Sequence, residues 1–129
     1  MMASSPSEAT LAWIAKTRTA DDLFVTTITI AEIFYGVELL PQGKRRDRLS
    51  SEAEATFGQD FAGRILEFDE IAARQFAQIA SSRRKAGRPI AEFDAQIAAI
   101  AHVHGAVLAT RNTGDFEGCW IRLVNPWVD

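Results

Sequence analysis

The stretch Ile90–Glu117, IAEFDAQIAAIAHVHGAVLATRNTGDFE, decides the fold of this chain, because it contains a helix, a turn, a strand and a polar loop in succession. Gly105 stands where a helix C-terminus favours a residue that adopts a positive φ. The following AVLAT (106–110) is nearly all apolar, which is typical of a strand buried on both faces. Apolar residues recur before it at helical spacing and predict a buried helix face of Phe93, Ile97, Ile100 and Ala101.

Asp94 is the unusual residue of this stretch, because the helical spacing places it on the same face as Ile97 and Ala101. A carboxylate that faces the interior requires hydrogen bonds, a cationic partner or a metal ion. The alternative is an ordinary acid in the first helical turn, which the helix dipole stabilises by about 0.3–1 kcal/mol. A second acid, Asp115, follows the strand, and ligands bind at the carboxyl ends of strands in open α/β sheets. This second acid favours a functional role for Asp94.

The composition is that of a single globular domain spanning residues 1–129, with 47% hydrophobic and 24% charged residues. The net charge of −3 provides no general attraction to nucleic acid, so such binding requires a local basic patch. Cys119 is the single cysteine, which excludes an internal disulfide and a cysteine-rich zinc site. No run reaches the roughly 20 apolar residues of a membrane span, and no signal-peptide pattern is present. We therefore expect a cytoplasmic protein with no membrane partner.

Helices and strands are predicted to alternate along the chain in the order α, β, α, α, β, α, α, β, β. Helical crossovers between strands imply a mainly parallel sheet covered on both faces, hence an α/β fold. Four strands are few for five helices, and such domains usually begin with a strand, so we expect a segment to be missing from the front. Strands are expected at 23–29, 64–69, 106–110 and 120–124, and helices at 5–16, 29–40, 44–57, 69–85 and 90–104.

Three acids are predicted to lie at one edge of this sheet: Glu32, Asp94 and Asp115. In a parallel sheet, strand ends and the starts of the following helices lie on the same side. Clustered carboxylates repel one another, and oxygen ligands of this kind suit Mg²⁺ or Mn²⁺. Such an ion can activate water and stabilise a phosphodiester transition state. The alternatives are a capping box over Thr29–Glu32 for Glu32 and a turn beside Gly114 for Asp115.

Several motifs, in the correct order from about Leu11 to Trp127, resemble the PIN-domain toxins of the VapC and FitB type. The resemblance implies a three-layer α/β/α fold and a Mg²⁺- or Mn²⁺-dependent endoribonuclease. It also implies the toxin half of a toxin–antitoxin pair, which forms a homodimer and is inhibited by a small antitoxin. The segments that carry it are TITIAEIFYGVELLPQGKRRDRL (27–49), FAGRILEFDE (61–70), RRKAGRPIAEFDAQIAAIA (83–101), HGAVLATRNTGDFEGC (104–119) and LVNPW (123–127).

The resemblance also assigns roles to individual residues. Glu32 and Asp94 match acids of the family, which makes them expected metal ligands and catalytic residues. Family members place a further acid either where Asn112 stands or where Asp115 stands. We expect Asp115 to be this metal ligand, with Asn112 as a supporting polar residue and Thr110 positioning the loop.

The beginning of the chain departs from the family pattern. Family members begin with a central strand that ends in Asp-Thr-Asn, whose aspartate is a principal metal ligand. This chain starts at Met1-Met2-Ala3-Ser4, and neither Asp21 nor Asp22 lies where that strand would end. One interpretation is that the start was assigned at an internal methionine and the natural protein is longer and active. The other is that this polypeptide is impaired in metal binding and has unpaired strand edges.

Two basic clusters are candidates for binding surfaces. The first contains Arg83, Arg84, Lys85 and Arg88, and the second contains Lys44, Arg45, Arg46 and Arg48. The first is expected to hold RNA phosphates together with Arg111 and Thr110, although a solvated helix end explains it equally well. The second cluster is expected to be an exposed face or an antitoxin contact.

A different class of function is a degenerate toxin that binds its antitoxin without cleaving RNA.

Overall fold

The computed structural model describes residues 6–19, 23–110 and 112–125, which form a mostly helical α/β fold with parallel strand pairs. The predicted order of helices and strands is confirmed in these ranges. Two short turns are added to it, a π-helical turn at Thr56–Asp60 and a 3₁₀ turn at Thr113–Phe116. The chain divides into two compact units, Met1–Leu66 and Glu67–Asp129.

The first unit contains three helices and one pair of strands. Strands β1 (Val25–Thr26) and β2 (Ile65–Leu66) run parallel, with Val25 opposite Ile65 and Thr26 opposite Leu66. Helices α1 and α2 pack against each other, and α3 packs against α2. The elements are α1 (Pro6–Lys16), β1 (Val25–Thr26), α2 (Thr27–Glu38), α3 (Lys44–Ala55) and β2 (Ile65–Leu66).

The core of the first unit contains Leu11, Ile33, Leu49, Ala53 and Phe61 among its fully buried side chains. These side chains come from α1, α2, α3 and the segment that follows the π-helical turn. Leu49 and Ala53 form the buried inner face of the charged segment 44–57. Burial of apolar surface therefore holds α3 in place even though most of its residues are polar.

The three arginines of the second basic cluster have acidic partners within this unit. Arg45 and Arg48 form ion pairs with Glu8, and Arg46 forms one with Glu38 at 2.6 Å. Acidic partners reduce the positive charge that such a cluster offers to nucleic acid. This arrangement agrees with the expected charged surface.

Helix α2 begins earlier than the sequence predicted. We predicted a strand to Thr29 and a capping box over Thr29–Glu32, but the strand ends at Thr26 and the helix starts at Thr27. The Thr26 hydroxyl accepts a hydrogen bond from the Thr29 backbone N–H at 3.0 Å, so Thr26 is the N-cap. The capping-box explanation for Glu32 is therefore wrong.

Replacing Thr26 by alanine should lower the free energy of unfolding by about 1 kcal/mol, because the first turn of α2 loses its side-chain cap. Thr29→Ala should cost less, because it removes a hydroxyl–hydroxyl contact and improves helix propensity. Urea unfolding of both variants measures the difference. A larger loss for Thr29→Ala would restore the capping box that we predicted.

The second unit contains two helices and the other pair of strands. Asp69 caps helix α4 (Glu70–Lys85), with its carboxylate accepting from the Ala72 N–H at 2.9 Å. Strands β3 and β4 run parallel, with Leu108 opposite Leu123. Gly105, with φ 61°, ends α5 as the sequence indicated. The elements are α4 (Glu70–Lys85), α5 (Glu92–Val103), β3 (Leu108–Ala109) and β4 (Leu123–Val124).

The described strands are shorter than predicted, with two residues each. In the first unit β1 pairs with β2, and in the second unit β3 pairs with β4, both in parallel. The last strand begins at Leu123 instead of 120, because Trp120 has a positive φ of 62° that no regular strand contains. Trp120 is half exposed, and its carbonyl lies 3.1 Å from Nδ1 of His102.

Across the described ranges, none of the helices combines the length and the apolar character that a bilayer crossing requires.

Candidate active site

Helix α5 packs into the core of the second unit and carries Asp94 in its first turn. The alanines Ala98 and Ala99 are fully buried, and Ile79 of α4 belongs to the same core cluster. Small side chains allow two helices to approach closely, which explains the extensive packing between α4 and α5. Asp94 lies in the first turn and is half-buried, on the face that carries Ile97. The predicted orientation of Asp94 is confirmed.

Phe93 departs from the predicted helix face. Its side chain is 48% exposed, whereas Ile97 and Ile100 are buried as expected. Phe93 is the second residue of α5, so it lies at the margin of the face that packs on the core. Hydrophobic spacing alone does not distinguish a marginal position from a central one.

Asp115 lies in the 3₁₀ turn that follows β3. The turn is anchored by Phe116, which is buried in the core of the unit. The backbone N–H of Asp115 donates to the carbonyl of Asn112 at 3.0 Å. The Thr110 hydroxyl accepts from the Asn112 N–H at 3.1 Å, which supports the expected loop-positioning role of Thr110. The polar side chains of Asn112 and Asp115 remain exposed.

The two acids of this unit interact electrostatically. Burial raises the pKa of the Asp94 carboxyl above its ordinary value of 3.8, and the negative charge of Asp115 raises it further. A nearby cation would oppose both effects, because it favours the ionised carboxylate. Two carboxylates that repel each other in a partly desolvated site are therefore suited to a hard divalent cation.

Glu32 belongs to the first unit, where it is the sixth residue of α2 and is half-buried. Among the residues that the structure describes, no group of three or more His, Cys, Asp or Glu side chains is close enough to hold a metal ion. The pair Asp94 and Asp115 is the part of the predicted site that the structure brings together. The convergence of Glu32 with this pair stays a prediction.

The predicted substrate-binding residues are found in different environments. Arg84 and Arg88 are exposed, and Arg88 reaches Gly114 O and Glu117 Oε2, each at 3.4 Å. Arg111 lies outside the described residues. Arg83 is only 7% exposed, and its guanidinium donates to backbone carbonyls of the chain. The expectation that Arg83 binds RNA phosphates is therefore corrected, because the side chain is buried and its Nε and Nη1 donors are used by backbone carbonyls.

Sequence reasoning missed this structural role of Arg83. Its partners include the carbonyls of Asp115 and Glu117, which lie 32 and 34 residues further along the chain. A backbone carbonyl has no identity in the sequence, so no local pattern marks it as a partner. The one available signal was Gly118 near the loop, and it is not specific.

Comparisons with known proteins agree with this architecture. The PIN domain family model matches residues 3–117. Toxin FitB of Neisseria gonorrhoeae is 40% identical over 124 residues, which covers 96% of this chain and 88% of that protein. VapC ribonuclease Y4jK of Sinorhizobium fredii is 36% identical over 124 residues, with 96% and 88% covered.

A solved structure of FitAB bound to an IR36 DNA fragment superimposes with a TM-score of 0.80 at 39% sequence identity. The alignment covers 97% of this chain and 87% of that chain. The resemblance drawn from the sequence motifs is thus confirmed by the family model, by the relatives and by the fold. This chain belongs to the PIN domain family and, within it, to the toxins of the VapC and FitB type.

Proposed function

We propose that this protein is a divalent-metal-dependent endoribonuclease and the toxin of a toxin–antitoxin pair. The observation that carries the proposal is the pair Asp94 and Asp115, one at the start of a buried helix and one just after a strand. Burial of Asp94 and the negative charge of Asp115 raise the pKa of Asp94, so its ionised carboxylate is unfavourable there unless a cation is bound. The similarity to VapC ribonuclease Y4jK supports the assignment to RNA.

The residues present fit Mg²⁺ or Mn²⁺. Mg²⁺ is commonly held by one or two carboxylates, with water and substrate phosphate completing its coordination. Asp94 and Asp115 would supply the two carboxylates, Glu32 is proposed as a third ligand, and Asn112 as a polar contact to water or substrate. When bound, the ion supplies Lewis-acid stabilisation of the charge that develops at the phosphodiester. The half-buried position of Asp94 limits competition from bulk water.

RNA is proposed to bind through exposed basic residues beside these acids. Arg84 lies at the end of α4 and Arg88 in the loop before α5, and both are exposed. Arg111 adjoins Thr110 in sequence and is proposed as a third phosphate contact. Such contacts release counterions, so RNA affinity should fall as the salt concentration rises.

The proposed partners are a small antitoxin and a second copy of this chain in a homodimer, acting in the cytoplasm. The similarity to FitB, whose solved structure is the FitAB complex, supports an antitoxin partner. An antitoxin that inhibits cleavage by occupying the active-site groove would explain how a cell tolerates such an enzyme.

Cleavage of a labelled single-stranded RNA in the presence of Mn²⁺ tests the proposal. We expect products that EDTA abolishes and that Asp94→Asn and Asp115→Asn each reduce. Glu32→Gln tests the third acid in the same assay. Antitoxin capture without metal-dependent cleavage would instead favour the non-catalytic interpretation.

A further inference from the structure

Arg83 is a buried cation whose hydrogen bonds connect the end of α4 to the loop that carries Asp115. Its Nη1 donates to the carbonyl of Asp115 at 2.9 Å and to that of Glu117 at 2.8 Å. Its Nε donates to the carbonyl of Arg88 at 2.7 Å. One side chain therefore binds a carbonyl within the 3₁₀ turn, a carbonyl directly after it and a carbonyl in the loop after α4.

Additional contacts hold the same loop against Arg83. Nη1 lies 3.5 Å from the buried Cys119 Sγ. Gly118 has a φ of 79°, and a Cβ added there would lie 3.6 Å from Cδ of Arg83. The chain thus passes directly over the stem of the arginine between Glu117 and Cys119.

The cost of burying a charge makes this arrangement specific. A guanidinium removed from water is stabilised by hydrogen bonds to its donors, and here backbone carbonyls accept from Nε and Nη1. Any displacement of the Asp115 carbonyl leaves a buried donor without its partner. The arrangement therefore resists movement of the backbone at Asp115, whose carboxylate is a proposed metal ligand.

We infer that Arg83 is a positioning residue, which fixes the backbone of the Asp115 loop and thereby holds the Asp115 carboxylate beside Asp94. This inference rests on the proposed function for its catalytic consequence, but not for its effect on metal binding. It also differs from a phosphate-binding role, because Arg83 would never contact RNA. A carboxylate displaced by about 1 Å can reduce a rate by about 100-fold.

Arg83→Lys is the informative substitution. Lysine keeps the positive charge, but its three donors share one nitrogen and do not reproduce the planar fork of Arg83. We expect kcat to fall about 10- to 100-fold while KM for RNA stays unchanged. Without RNA, Mn²⁺ affinity measured by electron paramagnetic resonance should fall by a similar factor, as is typical when the supports of metal ligands are removed.

Two further variants separate the possible outcomes. Arg74→Lys changes an exposed arginine of the same helix, paired with Glu70 at 2.9 Å, and should leave kcat, KM and Mn²⁺ affinity unchanged. Gly118→Ala disturbs the loop through its backbone, since alanine is strained at positive φ. It should reproduce the loss of kcat and of Mn²⁺ affinity with Arg83 intact, and it keeps the test available if Arg83→Lys does not fold.

The inference is overturned if Arg83→Lys raises KM for RNA with kcat unchanged, which would indicate a phosphate contact. It is equally overturned if circular dichroism shows only a smaller folded fraction, with normal kcat per folded molecule and normal Mn²⁺ affinity. Absence of cleavage by the unsubstituted protein would contradict the proposed function instead. In that case the Mn²⁺ affinities of the variants still decide whether Arg83 positions the acids.

Discussion

Asp94→Asn should abolish detectable RNA cleavage and yet raise the thermal stability of the metal-free protein. The activity loss should exceed about 100-fold, the upper end of what the loss of a ligand's supporting partner costs. The stability gain follows because asparagine removes a carboxylate that is partly buried and repelled by Asp115. RNA cleavage in Mn²⁺ and thermal unfolding in EDTA measure the two effects.

The pH dependence of this stability gain has a defined sign. The pKa of Asp94 is raised in the folded protein above 3.8, so the native state binds its proton more tightly than the unfolded state. The free energy of unfolding therefore decreases as the pH rises from about 3.8 through the raised pKa. The advantage of Asp94→Asn over the unsubstituted protein should be full at neutral pH and disappear below pH 3.8.

Glu92→Gln is the matched control, because Glu92 is an exposed acid in the same first turn of α5. It loses the same charge near the helix N-terminus and should retain cleavage. If Asp94→Asn kept its activity, or lowered the melting temperature at neutral pH by as much as Glu92→Gln does, Asp94 would be only a dipole-stabilising acid.

Ile79→Ala should lower the free energy of unfolding by about 2–5 kcal/mol, because Ile79 is fully buried in the core of the second unit. Its cluster includes Ala98 and Ala99 of α5 and Phe116 of the Asp115 loop. Removing its methyl groups leaves a cavity beneath both elements that present the acids. Urea denaturation measures the loss, and Mn²⁺ affinity should decrease along with it.

Ile71→Ala provides the comparison on the same helix. Ile71 is 64% exposed, so the same substitution there removes few contacts and should change stability by less than about 0.5 kcal/mol. Equal losses for the two variants would contradict the described packing of α4.

The local features of this protein were determined by its sequence. The order of helices and strands, the Gly105 turn and the inward orientation of Asp94 all agree with prediction. Each depends on interactions within a few residues, such as caps, turns and helical periodicity. The family motifs were recognisable for the same reason, because they are local patterns.

Tertiary structure decided how distant segments meet. It buried Arg83 against the Asp115 loop, left Phe93 exposed and paired the described strands as two short sheets. It also brought Asp94 and Asp115 into electrostatic contact, which the sequence could only suggest from a shared sheet edge. These features depend on backbone groups and packing between residues far apart in the chain, which no local pattern encodes.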